Sequence, residues 1–512
     1  MVVQRNGSRV LDQRSPVRSL PNASWSWIDS LVCHGLALLL LILLITPPNG
    51  ILSHNEEYYL AEALRSVLPE FFGSHSAFFD GAWHRAAFEI PVGIVVQAFG
   101  FEMAQASGRV VVALLYASSL TLLFRHLGVG TIGTLLIISV FYLLDQNILG
   151  GEWLLGGLEA KTVAYPLLFF GFWSALKKRY VWAFVVLGGA TYFHFLVGGF
   201  WFLVMGVGQL WYGRNVKKTL AGAALYLFMC FPLIWVVVAD NTGVVGVAAG
   251  VPSADWIYAN FRHPHHVAPF SSLPILKSWL PRIGLLAVLT MAVAGLWFTG
   301  TRRERRLAAA IGLLCVYLVC ALGLAYMDRN TGVLGKFYLF RPSSVTLLAF
   351  LSLVAIYLRD RVGSGYMKQL EVATLVVLAA LFLPEVVDTH WRRHGSSAES
   401  RKELEGLITS DLQADDVVLI EPRIENSWLD FERTFNRPTL VMWKFVPSRG
   451  RDIAKWYRLI MIRRRVFEEG CRELPEIRLD YLLSSSATAR MLDRSCGVVA
   501  FLGNDMALIS IR

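Results

Sequence analysis

Residues 27–67, WIDSLVCHGLALLLLILLITPPNGILSHNEEYYLAEALRSV, contain the pattern that decides the fold. An uninterrupted apolar run ends near Ile45, and two adjacent carboxylates, Glu56 and Glu57, follow soon after it. A run of this length and composition is typical of a helix that crosses a membrane. A basic segment precedes the run, as in a secretory signal peptide, but no small-residue cleavage site follows it. The stretch therefore predicts a membrane helix followed directly by an acidic helix.

The same apolar pattern recurs along the chain. Of its 512 residues, 55% are hydrophobic and only 17% are charged, and the mean hydropathy is +0.50. These values predict an all-α polytopic membrane protein with about eleven spans. The spans are expected near residues 28–46, 107–124, 129–145, 162–176, 181–195, 197–212, 219–239, 282–299, 307–326, 337–357 and 369–384. Residues 88–104 are apolar but interrupted by charge and proline, which favours a helix lying at the membrane interface.

The positive charge of the chain is explained by its topology. A formal net charge of +10 would suggest a nucleic-acid partner in a soluble protein. Here the Lys and Arg clusters fall on the cytoplasmic side of each span if the N-terminus is inside. We therefore expect a multi-pass membrane protein with its N-terminus in the cytoplasm and no nucleic-acid partner. Its predicted parts are a cytoplasmic tail (1–27), a transmembrane domain (28–390) and an extracytoplasmic domain (391–512).

The C-terminal part is polar and predicts a small α/β domain. Five short apolar segments read as strands, at residues 416–420, 438–443, 480–484, 497–503 and 506–511, and a helix is expected from residue 450 onward. Cys471 and Cys496 both lie in this domain, where an oxidising compartment would let them pair. We expect a disulfide between them, with two independent buried thiols as the alternative.

The first loop offers Glu56 and Glu57 as candidate catalytic carboxylates. Ser53 and Glu56 also have the spacing of a capping box, in which case Glu56 would close the helix start and Glu57 would face the site. Adjacent helical residues point about 100° apart, so the two carboxylates should have different roles. Our first expectation is that Glu56 faces a cavity, while Glu57 orients the helix.

Four further stretches place polar residues on the same predicted side of the membrane. The segment GGEWLLGGLEAKTVAY (150–165) carries Glu152, Glu159 and Lys161. The segment YFHFLVGGF (192–200) places His194 between two apolar spans. The loop NFRHPHHVAPF and the segment GKFYLFRPSSV supply cations and imidazoles. The candidate substrate-binding residues are Asp80, Glu152, Glu159, Lys161, His194, Arg262, His263, His265, His266, Lys336 and Arg341. Ion pairing, interfacial anchoring or packing could account for each of them singly.

Cations at this end of the spans are informative because the positive-inside rule disfavours them there. An arginine such as Arg341 can bind a lipid phosphate through two parallel hydrogen bonds. We therefore expect Lys161 and Arg341 to face one cavity together with the first-loop helix. The three histidines do not have the spacing of a standard zinc site, so no cofactor is required, although a divalent metal could be held by Glu152 or Glu159.

A first membrane helix, an acidic pair, a tyrosine and an amphipathic helix resemble the GT-C superfamily of membrane glycosyltransferases. The usual first-loop motif of that family is Asp-Glu followed by Tyr, whereas this chain has Asn55-Glu56-Glu57-Tyr58-Tyr59. The resemblance continues through FFDGAWHRAAFEIPVGIVVQAFG (78–100), and the patterns GGLEAKTVAY, HFLVGG and RHPHH are similar to a bacterial membrane group of unassigned activity.

This resemblance implies transfer of a sugar from a polyprenyl-phosphate donor to an acceptor at the extracytoplasmic face. The acceptor would be a glycan, a lipid or a protein, and membrane lipids would be further partners. The location that the resemblance implies is the bacterial inner membrane. A first-loop carboxylate would act as general base, and Lys161, Arg341 or Arg262 would stabilise the leaving phosphate. A transporter or flippase of lipid-linked sugars, and a non-catalytic component of exopolysaccharide assembly, are the alternatives.

Overall fold

A computed structural model describes residues 27–45, 54–71, 83–213, 215–242, 250–362, 398–447, 449–471 and 477–511, with scattered residues between 366 and 380. The predicted class is confirmed, since these residues are mostly helical and a small sheet lies near the C-terminus. Within them, six helices are long and apolar enough to cross a membrane. They are α1 (Trp27–Ile45), α3 (Ala86–His126), α8 (Val216–Thr242), α9 (Leu273–Thr299), α10 (Arg302–Met327) and α11 (Pro342–Arg361).

Four other predicted spans form shorter helices. These are α4 (Thr131–Leu143), α5 (Ala160–Leu176), α6 (Tyr180–Phe193) and α7 (Phe195–Gly208). Their buried faces pack among the longer helices in one continuous apolar core. Half of the eleventh predicted span, 369–384, lies outside the described residues.

The acidic first-loop helix and the interfacial segment pack against each other. Helix α2 (His54–Val67) carries Glu56 and Glu57 in its first turn, where negative charge suits the helix dipole. The segment predicted to be interfacial is continuous with the next span in α3, and a kink at Gly100 separates the two parts. Gly100 has φ +82°, which a residue with a side chain rarely adopts, so the glycine allows the change of direction.

The loop before α5 is held in a compact shape by buried hydrogen bonds. The Gln146 side chain accepts from the backbone N–H of Leu154 at 2.8 Å and donates to the Leu155 carbonyl at 2.8 Å. Ser343 and Ser344, at the start of α11, donate to the carbonyls of Leu149 and Glu152. The loop that carries Glu152 and Glu159 is therefore fixed to the same end of the helices as the start of α11.

The C-terminal residues fold around a four-stranded mixed sheet. Strands β1 (Val418–Ile420), β2 (Tyr481–Ser485), β3 (Val498–Leu502) and β4 (Met506–Ser510) lie in the order β1-β2-β4-β3. The β1–β2 pair is parallel and the other two pairs are antiparallel. The helices are α12 (Ala398–Asp411), α13 (Phe431–Phe435), α14 (Gly450–Glu469) and α15 (Ser486–Cys496).

Two expectations about this domain have different outcomes. The prediction of a strand at 438–443 is wrong, because the segment makes only one isolated bridge, from Thr439 to Val418. Two backbone hydrogen bonds join the segment to Val418. Side chains bind the backbone further along: Glu432 accepts from the N–H and hydroxyl of Thr439, and Glu425 accepts from the N–H of Lys444, just past the segment. The structure does contain the Cys471–Cys496 disulfide, with a Cα–Cα distance of 4.8 Å.

Candidate active site

Glu56 is locked in a buried ion pair. Its carboxylate, which is 0% exposed, accepts from Arg109 Nε at 2.7 Å and from a second guanidinium nitrogen of the same residue. Gln105 and the backbone N–H of Leu158 also donate to it, at 3.2 and 2.7 Å. A Cβ at Gly157 would collide with this carboxylate, so only glycine permits the close approach. The expectation that Glu56 faces a cavity is therefore wrong: it joins α2, α3 and the loop before α5.

Glu57 points in a different direction, towards the C-terminal domain. Arg433 donates to its two oxygens from Nε at 2.8 Å and from Nη2 at 3.0 Å. Burial raises the pKa of Glu57, although Arg433 partly offsets the effect. The two first-loop carboxylates therefore point to different partners, and each is buried against an arginine. The proposed capping partner, Ser53, lies outside the described residues.

The second-loop carboxylates share their cations instead. Lys161 Nζ lies 3.8 Å from Glu152 and 3.5 Å from Glu159, and Arg341 Nε lies 3.7 Å from Glu152. All four side chains are almost buried. The structure thus places Lys161 and Arg341 around one carboxylate, although they come from the starts of α5 and α11.

The surroundings push the pKa values of Glu152 and Glu159 apart. Burial opposes ionisation of Glu152, but Arg341 and Lys161 outweigh it and hold its pKa below the usual value. Burial dominates at Glu159 and raises its pKa, and the opposing effects of Lys161 and Asn55 are smaller. A pair of carboxyl groups separated in this way can supply a permanent anion and a proton acceptor in one site.

His194 and Arg341 form a second contact at this site. Arg341 Nη1 lies 3.1 Å from both ring nitrogens of His194, and its guanidinium stacks over the Tyr338 ring at 4.6 Å. His194 caps the start of α7 by accepting from the N–H of Val197 at 3.5 Å. The junction between α6 and α7 therefore helps to fix the orientation of Arg341.

The histidine loop packs against the second loop. His266 Nδ1–H donates to the Gly150 carbonyl at 2.6 Å, and His263 Nδ1 lies 3.2 Å from the Tyr258 carbonyl. The rings of His265 and His266 have centroids 4.1 Å apart. No group of three or more His, Cys, Asp or Glu in the described part of the chain is arranged to hold a metal ion. These imidazoles border the site through hydrogen bonds and ring contacts.

Lys336, a predicted site residue, lies outside this cluster. Lys336 donates to both carboxylate oxygens of Asp255, at 3.1 and 3.2 Å, in a partly exposed pair. Asp80 lies outside the described residues.

Sequence reasoning missed several charged residues around the site. Arg109 lies in an apolar helix, and Arg433 and Lys444 lie in the C-terminal domain. Lys444 lies near Arg262, Glu159 and Lys161; burial and these cations lower its pKa to about 8. A usable signal was present in the segment TLVMWKF, because its lysine interrupts an apolar run.

Comparisons with known proteins give little beyond the fold. No protein-family model and no curated protein matches the chain. Among solved structures, the chain is similar to the crystal structure of ArnT from Cupriavidus metallidurans bound to undecaprenyl phosphate. The TM-score is 0.41 and the identity is 11%, with 95% of this chain and 98% of that chain covered.

Proposed function

We propose that this protein is a GT-C-type glycosyltransferase. It would move a sugar from a polyprenyl-phosphate-linked donor to an acceptor at the extracytoplasmic face of the membrane. The observation that carries the proposal is the convergence of Lys161 and Arg341 on Glu152, beside Glu159, at the ends of apolar helices. Two cations there suit the phosphate of a lipid whose chain lies in the bilayer.

The four side chains can divide the chemistry of transfer between them. The acceptor oxygen would attack the anomeric carbon of the donor while the bond from that carbon to the phosphate oxygen breaks. Glu159, whose pKa is raised by burial, would accept the proton of the acceptor hydroxyl. Lys161 and Arg341 would stabilise the negative charge that develops on the departing polyprenyl phosphate. Glu152 would hold these two cations in place.

In this proposal Glu56 acts through the loop and not as the base. It binds the N–H of Leu158, next to Glu159, and its charge is neutralised by Arg109. A base must reach the hydroxyl proton, within about 3.2 Å or through one water. A carboxylate whose oxygens are occupied by Arg109, Gln105 and a backbone N–H is better suited to positioning.

The test is donor turnover by the purified protein in lipid nanodiscs. Polyprenyl-phosphate sugar carrying a labelled sugar is supplied with an extract of envelope glycans and lipids, and release of polyprenyl phosphate is measured. Arg341→Met should reduce turnover about 10²–10³-fold, because it removes a charge that stabilises the leaving group. Glu468→Gln, which changes an exposed carboxylate of α14, is the matched control and should retain full turnover.

Two outcomes would contradict the proposal. One is a wild-type protein that binds the donor but moves it between leaflets without cleaving it, which is the behaviour of a flippase. The other is an Arg341→Met protein that turns over the donor at the wild-type rate.

A further inference from the structure

Arg262 is a buried cation without a hydrogen-bonding partner at its Nε atom. The residue is 7% exposed, and its Nε makes no hydrogen bond. Its guanidinium lies 5.3 Å from the centre of the Trp443 ring, which belongs to the C-terminal domain. A buried charge without an ion-pair partner is unfavourable, so such a residue calls for an anion.

Lys444 is a second, partly buried cation close to Arg262. Its backbone N–H donates to Glu425 Oε1 at 3.2 Å, and the next residue, Phe445, stacks on Tyr58 of α2 with ring centroids 5.5 Å apart. Trp443 and Phe445 thus fix Lys444 between the membrane helices and the C-terminal domain. Glu425 is itself paired with the buried Arg463 and so does not serve as a full counter-ion.

The charges around this place do not balance. Arg262 and Lys444 form no ion pair with any carboxylate in the described part of the chain, whereas Lys161 and Arg341 share Glu152 and Glu159. Burial, followed by the nearby Arg262, lowers the pKa of Lys444 to about 8, so it is mostly charged at pH 7. Four cations therefore surround two carboxylates, an excess of two positive charges that a phosphate dianion would neutralise.

We propose that Arg262 and Lys444 together bind a phosphoryl group, which is held between the membrane helices and the C-terminal domain. The proposal deepens the function given above and rests on it for the source of the phosphate, the head group of a polyprenyl lipid. It makes the C-terminal domain a part of the binding site, because Lys444 belongs to that domain. The chemistry would equally hold free inorganic phosphate, so the experiment separates the two sources.

The experiment measures binding and needs no sugar transfer. The full-length protein in nanodiscs is titrated with polyprenyl phosphate, with the uncharged polyprenol, and separately with inorganic phosphate, at pH 7. Lys444→Ala should weaken polyprenyl-phosphate binding about tenfold or more, since a hydrogen bond to a charged group contributes roughly 1.5–3 kcal/mol. Lys444→Arg should restore most of the affinity, and polyprenol binding should not change.

A matched control and a folding check accompany these variants. Lys402→Ala removes an exposed lysine of the same domain and should bind as the wild type does. Lys444 contacts Glu425 through its backbone, so the alanine variant retains that bond. A wild-type melting temperature would show that the domain is intact. Arg262→Met should also weaken polyprenyl-phosphate binding. The double variant Arg262→Met/Lys444→Ala should lose less binding free energy than the sum of the two single losses.

The outcomes are distinct. Loss of binding for the lipid phosphate alone, or for both phosphates, supports the site and identifies its ligand. Wild-type affinity of Lys444→Ala for polyprenyl phosphate, or equal binding of polyprenol and polyprenyl phosphate by the wild type, would overturn it. If phosphate binding depends on Lys444 but no donor is cleaved, this site stands and the proposed transferase activity fails.

Discussion

The two pairs of glutamates in the first and second loops are chemically identical and structurally opposite. Glu56 and Glu57 each have their own arginine, Arg109 and Arg433, with two guanidinium contacts to each carboxylate. Glu152 and Glu159 share Lys161 at 3.8 and 3.5 Å, distances at which the charges attract without a tight hydrogen bond.

The difference teaches that partner geometry, and not residue type, separates a structural carboxylate from a reactive one. A bidentate arginine fixes a carboxylate and occupies the lone pairs that a substrate would need. A lysine shared at longer distance keeps charge in the site while leaving oxygens available. The first-loop pair therefore ties the helices and the C-terminal domain together, and the second-loop pair is the better candidate for chemistry.

The largest effect is expected for Glu159→Gln. Loss of a general base should slow sugar transfer about 10²–10⁴-fold, because no other group would take the hydroxyl proton. Burial raises the pKa of Glu159, so the wild-type rate should fall as the pH drops through that raised value and the base becomes protonated. The measurement is donor cleavage against pH in nanodiscs.

The pH profile distinguishes a base from a packing residue. Glu159→Gln should be slow at every pH and lack the acidic limb of the wild type. An unchanged acidic limb in this variant would assign the base elsewhere and remove the distinction between the two loops.

Glu56→Gln should affect stability most. It leaves Arg109 buried with a neutral partner, and breaking a buried ion pair typically costs about 3–5 kcal/mol. Thermal unfolding in nanodiscs would measure the loss. The double variant Glu56→Gln/Arg109→Met should recover part of it, because it also removes the uncompensated charge. A single variant as stable as the wild type would show that the pair is not a structural link.

Glu152→Gln should strengthen the binding of polyprenyl phosphate, although it should slow sugar transfer. Glu152 competes with a phosphate for Lys161 and Arg341, and its pKa is held low by them, so it remains ionised near neutral pH. Removing its charge should tighten polyprenyl-phosphate binding up to about tenfold, which corresponds to ~1.4 kcal/mol. Transfer should nevertheless slow, since the cations lose the group that positions them. Titration with the lipid phosphate tests this, and weaker binding would contradict it.

The smallest effect is expected for the pair of Glu57 and Arg433. Arg433 is partly exposed, so solvent screens the interaction, and a double-mutant cycle should give a coupling of about 1 kcal/mol. The cycle uses Glu57→Gln and Arg433→Met with unfolding as the readout. Arg464→Met with Glu468→Gln is an exposed control pair that should couple more weakly. Equal coupling in both pairs would mean that Glu57 does not anchor the C-terminal domain.

Features with local causes could be predicted from the sequence. Apolar length located the helices. Four of the five predicted strands overlap the observed ones, because short apolar segments bounded by polar residues mark them. Lys161 and Arg341 attracted attention because cations are disfavoured at that end of the spans, and both lie at Glu152.

Features that depend on distant partners could not be predicted. Nothing local to Glu56 indicates Arg109, which lies 53 positions further along the chain, or Arg433, the partner of Glu57, which lies 376 positions from it. The segment at 438–443 has the composition of a strand, but it makes a single bridge to Val418, and the buried carboxylate of Glu432 binds the backbone of Thr439. Lys444 directly follows this segment, and the charged residues near it, Arg262 and Lys161, are also distant in the sequence.

The pairing of Glu56 with Arg109 also bears on how the chain enters the bilayer during synthesis. An arginine at the centre of a membrane helix disfavours insertion by about 2.5–3.5 kcal/mol on the translocon scale. Arg109, which lies nearer the Gly100 kink than the C-terminal end of α3, would bear part of that cost. Glu56 is made before Arg109, so its carboxylate is available when the second half of α3 leaves the ribosome. Docking of α2 and entry of α3 would then be a single event, in which an acidic and a basic residue are taken into the protein as a neutral unit.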